Sequence, residues 1–246
     1  MRASIVILTF NQREVTLRCL DALDEFMRGH SDVEIIVVDN GSADGTGSAI
    51  EDRRYAWAPR LTYRRKDSNS GVAAGRNSGI RMAKGDIIVL LDNDTVPTSR
   101  VLSDLIGHVE RNPRCGVAAP GLMSADGAVQ NSAKSYPGLL EKMRNVLSSG
   151  QPPMPEHPYY VIGACQVFRR SVVDEVGELD ENIFYGPEDA DFCARIRKAG
   201  YSIDYIPSLS MIHDYRRATS RNVLSPLGRR HIKALLYFWW KHRRLF

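Results

Sequence analysis

The 246-residue chain has no apolar run of the roughly 20 residues that a bilayer-spanning helix needs, so no spanning helix is expected. Its first apolar run, Ile5-Val6-Ile7-Leu8, gives way at once to polar residues and is too short for a secretory leader. Cysteine is scarce. Cys19, Cys115, Cys165 and Cys193 lie far apart and form no CxxC pair, which argues against a zinc ribbon and against a disulfide framework. A cytoplasmic, reducing location is the expectation. There is no internal repeat and no low-complexity tract. The formal net charge of +4 is too small to point to nucleic acid. Glycine is missing from Thr9-Phe10-Asn11-Gln12-Arg13, the loop after the first strand-like run. That removes the dinucleotide fingerprint of nicotinamide dehydrogenases and the phosphate loop of a sugar-1-phosphate nucleotidyltransferase.

What is present is a set of short apolar runs that end in polar residues. Ile87-Ile88-Val89-Leu90-Leu91 leads into Asp92-Asn93-Asp94. An unbroken run of this length suits a strand buried on both faces. Ligands of open α/β sheets bind outside the carboxyl ends of such strands. Two carboxylates there offer hard oxygen donors to a divalent cation, Mg2+ or Mn2+; a solvated acidic turn is the bland alternative. Ser4 to Leu8 and Glu34 to Val38 read the same way, with exits at Thr9-Phe10-Asn11 and Asp39-Asn40. Leu61 to Lys66 reads as an edge strand. Helical spacing joins Val15, Cys19, Leu20, Leu23 and Phe26, and an Ala-rich helix covers Val72 to Lys84. Four strand–helix alternations in 95 residues predict a parallel sheet, with the three polar exits along one rim.

Beyond residue 95, Ser99 to Glu110 reads as a helix and Gly116 to Pro120 as a strand. Gly121 to Gln130 reads as a hairpin turning at Ala125-Asp126-Gly127. Pro and Gly break the pattern from Tyr136 to Pro158, which reads as a loop or lid. Tyr159 to Phe168 is strand-like, Arg170 to Val176 a short helix, Pro187 to Lys198 a helix with Pro187 at its first position, and Ile203 to Ile206 a last strand.

Taken in order, Ser4 to Asn11, Ile36 to Thr46, Asn69 to Gly79 and Leu91-Asp92-Asn93-Asp94 resemble the nucleotide-sugar half of a family 2 glycosyltransferase. Gly163 to Arg170, Val176 to Glu181, Phe184 to Phe192, Ala199-Gly200-Tyr201 and Pro207 to His213 are similar to its second half, most of all in the rhamnosyltransferase-like branch. The resemblance covers about residues 4 to 220. It implies the GT-A fold: a Rossmann-like, mixed, mostly parallel α/β sheet flanked by helices, here followed by a C-terminal amphipathic helix. It divides residues 1–220 into a nucleotide-binding half, 1–95, and an acceptor-binding half, 96–220, with 221–246 as the appended helix. It implies an inverting, metal-dependent transfer from a nucleoside diphosphate sugar. dTDP-L-rhamnose is the first donor and a UDP-hexose the runner-up. The acceptor is a saccharide or lipid-linked saccharide of cell-surface polysaccharide synthesis. A non-catalytic nucleotide-sugar-binding protein is the outside alternative.

The same resemblance gives roles to residues. Asp39 accepts from the N3–H of uracil or thymine, or else only caps its turn. Thr9 and Asn11 face the base or ribose, and Gly71 lets backbone approach the ligand. Arg76 reaches a phosphate, or is a solvated helix residue. Asp94 ligates Mg2+ or Mn2+ directly, with Asp92 and Asn93 beside ribose and metal-bound water and His213 as a further ligand. Asp189 is the general base that deprotonates the acceptor. Its neighbours have plainer readings: Glu188 caps the helix, and Asp191 forms a surface ion pair with Arg195 at i,i+4. The tail from Arg229 to Arg244 mixes bases with aromatics. It reads either as a helix on an anionic membrane surface, at the inner face of the cell membrane, or as a helix packed on the core.

Overall fold

The computed structural model describes residues 1–139, 141, 153–214 and 225–243. Its first four long strands are β1 (Ala3–Thr9), β2 (Val33–Asp39), β3 (Leu61–Arg65) and β4 (Ile87–Asp92), all mutually parallel in the order β3-β2-β1-β4. Thr9 lies opposite Asp39, and Leu8 opposite Asp92. The three polar exits are therefore neighbours on one rim, as expected.

The apolar runs are unbroken because both faces of the sheet are covered. Ile5, Ile7, Ile35, Val37, Val89 and Leu91 face one core, built with α1 (Arg13–Ala22), α2 (Asp24–Gly29) and α5 (Ser99–Arg111). Val6, Ile36, Val38, Ile88 and Leu90 face the other, built with α4 (Val72–Met82), α6 (Arg170–Val176) and α7 (Glu188–Lys198). Odd and even residues of each strand thus enter different cores, as the period of two demands. Helix α3 (Thr46–Asp52) lies between β2 and β3 in the chain. The single helical stripe expected from Val15 to Phe26 is instead two helices, α1 and α2, meeting at Leu23.

The second half adds β5 (Thr95–Val96), β6 (Cys115–Met123), β7 (Val129–Gln130), β8 (Ala133–Lys134), β9 (Tyr160–Val161), β10 (Cys165–Arg169) and β11 (Ser202–His213). The main sheet continues β4-β10-β6-β11-β5, with β10 antiparallel to β4 and β6 and with β7 paired to β6 as the predicted hairpin. The strand expected over Tyr159 to Phe168 is two strands. Between them the Gly163 carbonyl accepts from Arg76, and the Ala164 carbonyl accepts from the Asp92 N–H at 2.9 Å in continuation of the β10–β4 ladder. The short strand expected at Ile203 to Ile206 runs on to His213. Its register slips between Ile206 and Ser210, around Pro207, which has no N–H to give a ladder. The extension matters, because it sets His213 opposite Thr95, one residue past Asp94.

The lid expected between Tyr136 and Pro158 falls mainly on residues 140 and 142–152, outside the described residues. Helix α8 (Pro226–His242) buries Ala234, Leu235 and Phe238. Phe238 lies beside Tyr136, with ring centroids 5.7 Å apart, so one face of the tail is packed on the core.

Candidate active site

Asp92 closes β4, and Asp94 follows after one residue that is turned inward. The Asn93 amide donates to Thr16 Oγ1 at 2.9 Å and to Thr9 Oγ1 at 3.3 Å, and Thr9 and Thr16 share a 2.8 Å hydrogen bond. Asn93 is 6% exposed and Thr9 1%. Both were expected at the ligand; their side chains instead pin the loop between β4 and β5 to the start of α1. With Asn93 anchored inward, the two carboxylates flanking it are left at the rim.

His213 arrives from β11. Its Nε2 lies 3.3 Å from Asp94 Oδ1, and its Nδ1 is 2.7 Å from Gln130 Oε1. Gln130 Nε2 also donates to the His213 carbonyl at 2.8 Å. Burial alone would lower the His213 pKa, but Asp94 outweighs it and the net shift is upward. Burial pushes the Asp92 carboxyl up, Arg76 pulls it down and Asp94 pushes it up again, with a net rise.

A divalent cation fits this cluster. One donor atom each from Asp92, Asp94 and His213 lies within 4.8 Å of the others. Asp94 Oδ1 is buried, and among the described residues only the His213 Nε2 at 3.3 Å stands near it, an incomplete compensation that a cation would complete. Two carboxylates and one imidazole suit Mn2+ and tolerate Mg2+.

Arg76 is neither solvated nor at the surface. It is 4% exposed, and its Nη2 donates to Asp92 Oδ1 at 2.5 Å and to the Gly163 carbonyl at 2.8 Å. Its Nη1 lies 3.6 Å from Glu188 Oε1. A Cβ at position 163 would collide with that guanidinium, so any larger residue there would have to displace Arg76. One cation therefore spans the Asp92 rim and the head of α7.

At that head, Pro187 is the N-cap rather than the first helical residue. Glu188, expected as a capping charge, is 6% exposed, and burial followed by repulsion from Asp189 raises its pKa to about 7 against the pull of Arg76. Asp189 is half-buried, with Oδ1 accepting from the Ala190 N–H at 2.7 Å. Asp191 pairs with Arg195 at 2.9 Å as its spacing suggested, yet it is no surface pair. Asp191 is fully buried and also meets Lys241 at 2.7 Å and His242 at 2.9 Å from α8.

On the other side of the rim, Asp39 is 1% exposed and caps its turn: Oδ1 accepts from the Ser42 N–H at 2.7 Å, and Oδ2 accepts from the Tyr63 hydroxyl at 2.5 Å. Asn11, expected at the base or ribose, stands before the N-cap Gln12 with a positive φ of 52°. It staples two exits together, its N–H donating to Ser42 Oγ and its Oδ1 accepting from the Ala43 N–H. Gly71 has φ +89°, and a Cβ there would lie 2.6 Å from the Phe184 carbonyl, which accepts from the Val72 N–H. The close approach it permits here is of the 184 loop. Gln130, Tyr63 and the linking role of Arg76 had no local signal in the sequence; Glu188 was visible only as the neighbour of Asp189.

The family model for glycosyl transferase family 2 matches residues 4–177. The chain is 28% identical over 241 residues to the N-acetylglucosaminyl-diphospho-decaprenol L-rhamnosyltransferase of Mycobacterium tuberculosis, covering 85% of this chain and 77% of that protein. It is 32% identical over 190 residues to the pre-mycofactocin glycosyltransferase of the same species, covering 75% of this chain and 38% of that protein. Among solved structures, the mannosyltransferase PcManGT from Pyrobaculum calidifontis, in complex with GDP-Man and Mn2+, aligns with a TM-score of 0.67 at 21% identity, over 98% of this chain and 64% of that one. GalNAc-T7 with UDP, GalNAc and Mn2+ aligns with a TM-score of 0.74 at 16% identity, over 98% of this chain and 50% of that one. At such identities these two neighbours speak to the fold, and the fold is GT-A. Joined to the match across residues 4–177, it makes the chain a glycosyltransferase of family 2.

Proposed function

We propose that the protein is an inverting, metal-dependent glycosyltransferase that moves L-rhamnose from dTDP-L-rhamnose to a hydroxyl of a saccharide or lipid-linked saccharide acceptor. The observation that carries the reading is the meeting of Asp92, Asp94 and His213, joined through buried Arg76 to the helix that begins Glu188-Asp189. Asp94, Asp92 and His213 would hold Mg2+ or Mn2+. Bound there, the cation supplies charge neutralisation for the departing diphosphate.

The chain's own residues do the rest. Residues 1–95 supply the donor side of the site and 96–220 the acceptor side. Asp39 receives the N3–H of a pyrimidine base, sharing its Oδ2 with the Tyr63 hydroxyl. Arg76 fixes the Asp92 carboxylate and offsets the charge that Asp92 and Glu188 bring into the interior. Asp189 takes the proton from the acceptor hydroxyl as its oxygen bonds to the anomeric carbon and the carbon–diphosphate bond breaks on the opposite face. The configuration inverts and the proton ends on the Asp189 carboxylate.

Rhamnose is favoured over other sugars by the likeness to the mycobacterial L-rhamnosyltransferase. That relative's name also supports a lipid-linked acceptor, which would put the reaction at the cytoplasmic face of a membrane. A UDP-hexose is the second donor, because Asp39 serves uracil and thymine alike. A thermal-shift screen of nucleotide sugars, with Mn2+, with Mg2+ and with chelator, tests the reading. Stabilisation should grow as RT ln(1 + [L]/Kd), be largest for dTDP-L-rhamnose and vanish with chelator. Absence of any shift with every dTDP- and UDP-sugar plus metal would defeat it.

A further inference from the structure

Helix α8 has two unlike faces. One is docked: Phe238 is fully buried, Trp239 Nε1 donates to the Pro137 carbonyl at 2.9 Å, and Lys241 reaches Asp180 at 2.6 Å and Asp191 at 2.7 Å. The other is bare. Ile232, Leu236 and Trp240 are 42%, 57% and 75% exposed. They follow one another at i, i+4 and i+8, which stacks them along one line. They are half of the six exposed large hydrophobic residues among those described; the other three, Met1, Phe10 and Val129, come from separate elements.

Arg229, Lys233 and Arg243 are also exposed. At 3.6 residues per turn, Arg229, Lys233 and the three apolar residues share an arc of about 100°, and Arg243 follows as the C-cap. No Asp or Glu occurs between Pro226 and Arg243. The bare face is thus apolar along its centre and cationic along its length, with no acidic residue on its own helix.

We propose that this face lies on a lipid bilayer rich in anionic headgroups. Leu236 and Ile232 would enter the acyl boundary, Trp240 would sit at headgroup depth, and Arg229, Lys233 and Arg243 would meet lipid phosphates. Charge complementarity selects this occupant. A second copy docked about a two-fold axis would set Arg229, Lys233 and Arg243 against their own counterparts and repel. An anionic surface attracts all three at once, each adding on the order of fivefold to partitioning.

The inference goes beyond the transfer reaction and does not depend on the donor. It does add something to that reading. The docked face is tied to Asp191, two residues from Asp189, so the bilayer plane would be fixed relative to the base. A lipid-linked acceptor would then be presented from a known side.

Vesicle flotation of the full chain tests the proposal, using phosphatidylcholine vesicles with and without phosphatidylglycerol. The wild type should float with the anionic vesicles only, and less so as salt rises. A triple variant, Ile232→Ser with Leu236→Ser and Trp240→Ser, should lose binding. A second, Arg229→Glu with Lys233→Glu and Arg243→Glu, should lose it by more than about a hundredfold. All six positions are exposed, so both variants should keep the wild-type melting temperature. Three results would overturn the proposal: no flotation of the wild type at low salt, flotation of both variants equal to that of the wild type, or a wild-type dimer in light scattering that the variants lose without any vesicle binding. Donor-induced thermal shifts in the same variants should be unchanged, so failure here and failure of the glycosyltransfer reading are told apart.

Discussion

Gln130 holds His213 at two points, and this fixes the proton on the imidazole. The His213 carbonyl can only accept, so the nitrogen of the Gln130 amide must face it, at 2.8 Å. The amide oxygen therefore faces Nδ1 at 2.7 Å, and Nδ1 carries the hydrogen. Nε2 is then the ring nitrogen directed to Asp94 and, on the proposed reading, to the cation. Such outer partners commonly set 10- to 100-fold in metal affinity, and Gln130→Ala should weaken Mn2+ binding by about that factor. The loss in folding stability should stay near ~1 kcal/mol. Calorimetric titration of Mn2+ in the presence of nucleoside diphosphate reads this directly; an unchanged affinity would show that Gln130 does not orient the ligand.

Arg76→Ala should leave buried Glu188 and half-buried Asp92 with no cation between them. Breaking a buried pair in this way costs about 3–5 kcal/mol. Arg76→Lys should recover only part of it, since an ammonium lacks the fork that reaches Asp92, Gly163 and the Glu188 side together. Urea unfolding of the three proteins gives the comparison. A loss below about 1 kcal/mol for the alanine variant would place Arg76 outside the role assigned to it.

Asp189→Asn should lower turnover by about 10²- to 10⁴-fold and leave donor affinity intact. Glu188→Gln should act on stability instead. Its folded pKa, raised to about 7 from 4.5, means that the folded protein holds this proton more tightly than the unfolded chain. The contribution is full below 4.5 and is lost as pH rises towards about 7, so Glu188 makes the wild type less stable with rising pH across that window. Glu188→Gln should flatten the slope. Unfolding free energies on either side of the window, for both proteins, decide the matter, and an identical slope would contradict it.

Asp191 has the opposite sign. Burial would raise its pKa, but His242, Arg195 and Lys241 together hold it down to about 2 from 3.8. Its contribution is present above 3.8 and fades as pH falls towards about 2. Since two of the three partners stand on α8, acid should detach that helix. Trp239 and Trp240 fluorescence should report the change within that window. At neutral pH, Asp191→Asn should cost about 3–5 kcal/mol and speed amide exchange across residues 226–242. Unaltered exchange there would mean that Asp191 does not hold the tail.

The strand exits were legible because both faces of each strand are buried. Apolar runs then end sharply, and Thr9, Asp39 and Asp92 stand out as the first polar residues. The ordered motifs also carried the family and the fold. What could not be read were partners distant in sequence. Gln130 and His213 are 83 residues apart, and His242 and Asp191 are 51 apart. The local i,i+4 spacing of Asp191 and Arg195 suggested a surface pair because the two cations arriving from α8 leave no trace in that window. The inward bonds of Thr9 and Asn93 were also out of sight. They occupy ligand-facing positions in the sequence order, and their side chains bond to Thr16 inside the wall.

Arg76 touches both sides of the proposed reaction, Asp92 on one and Glu188 on the other. A donor that draws Asp92 towards its cation changes what the guanidinium can give to Glu188, and an acceptor that repositions the head of α7 changes what it can give to Asp92. Binding on the two sides would then be thermodynamically linked, and the linkage must be reciprocal. Whatever factor the nucleotide sugar confers on acceptor affinity, the acceptor returns to the nucleotide sugar.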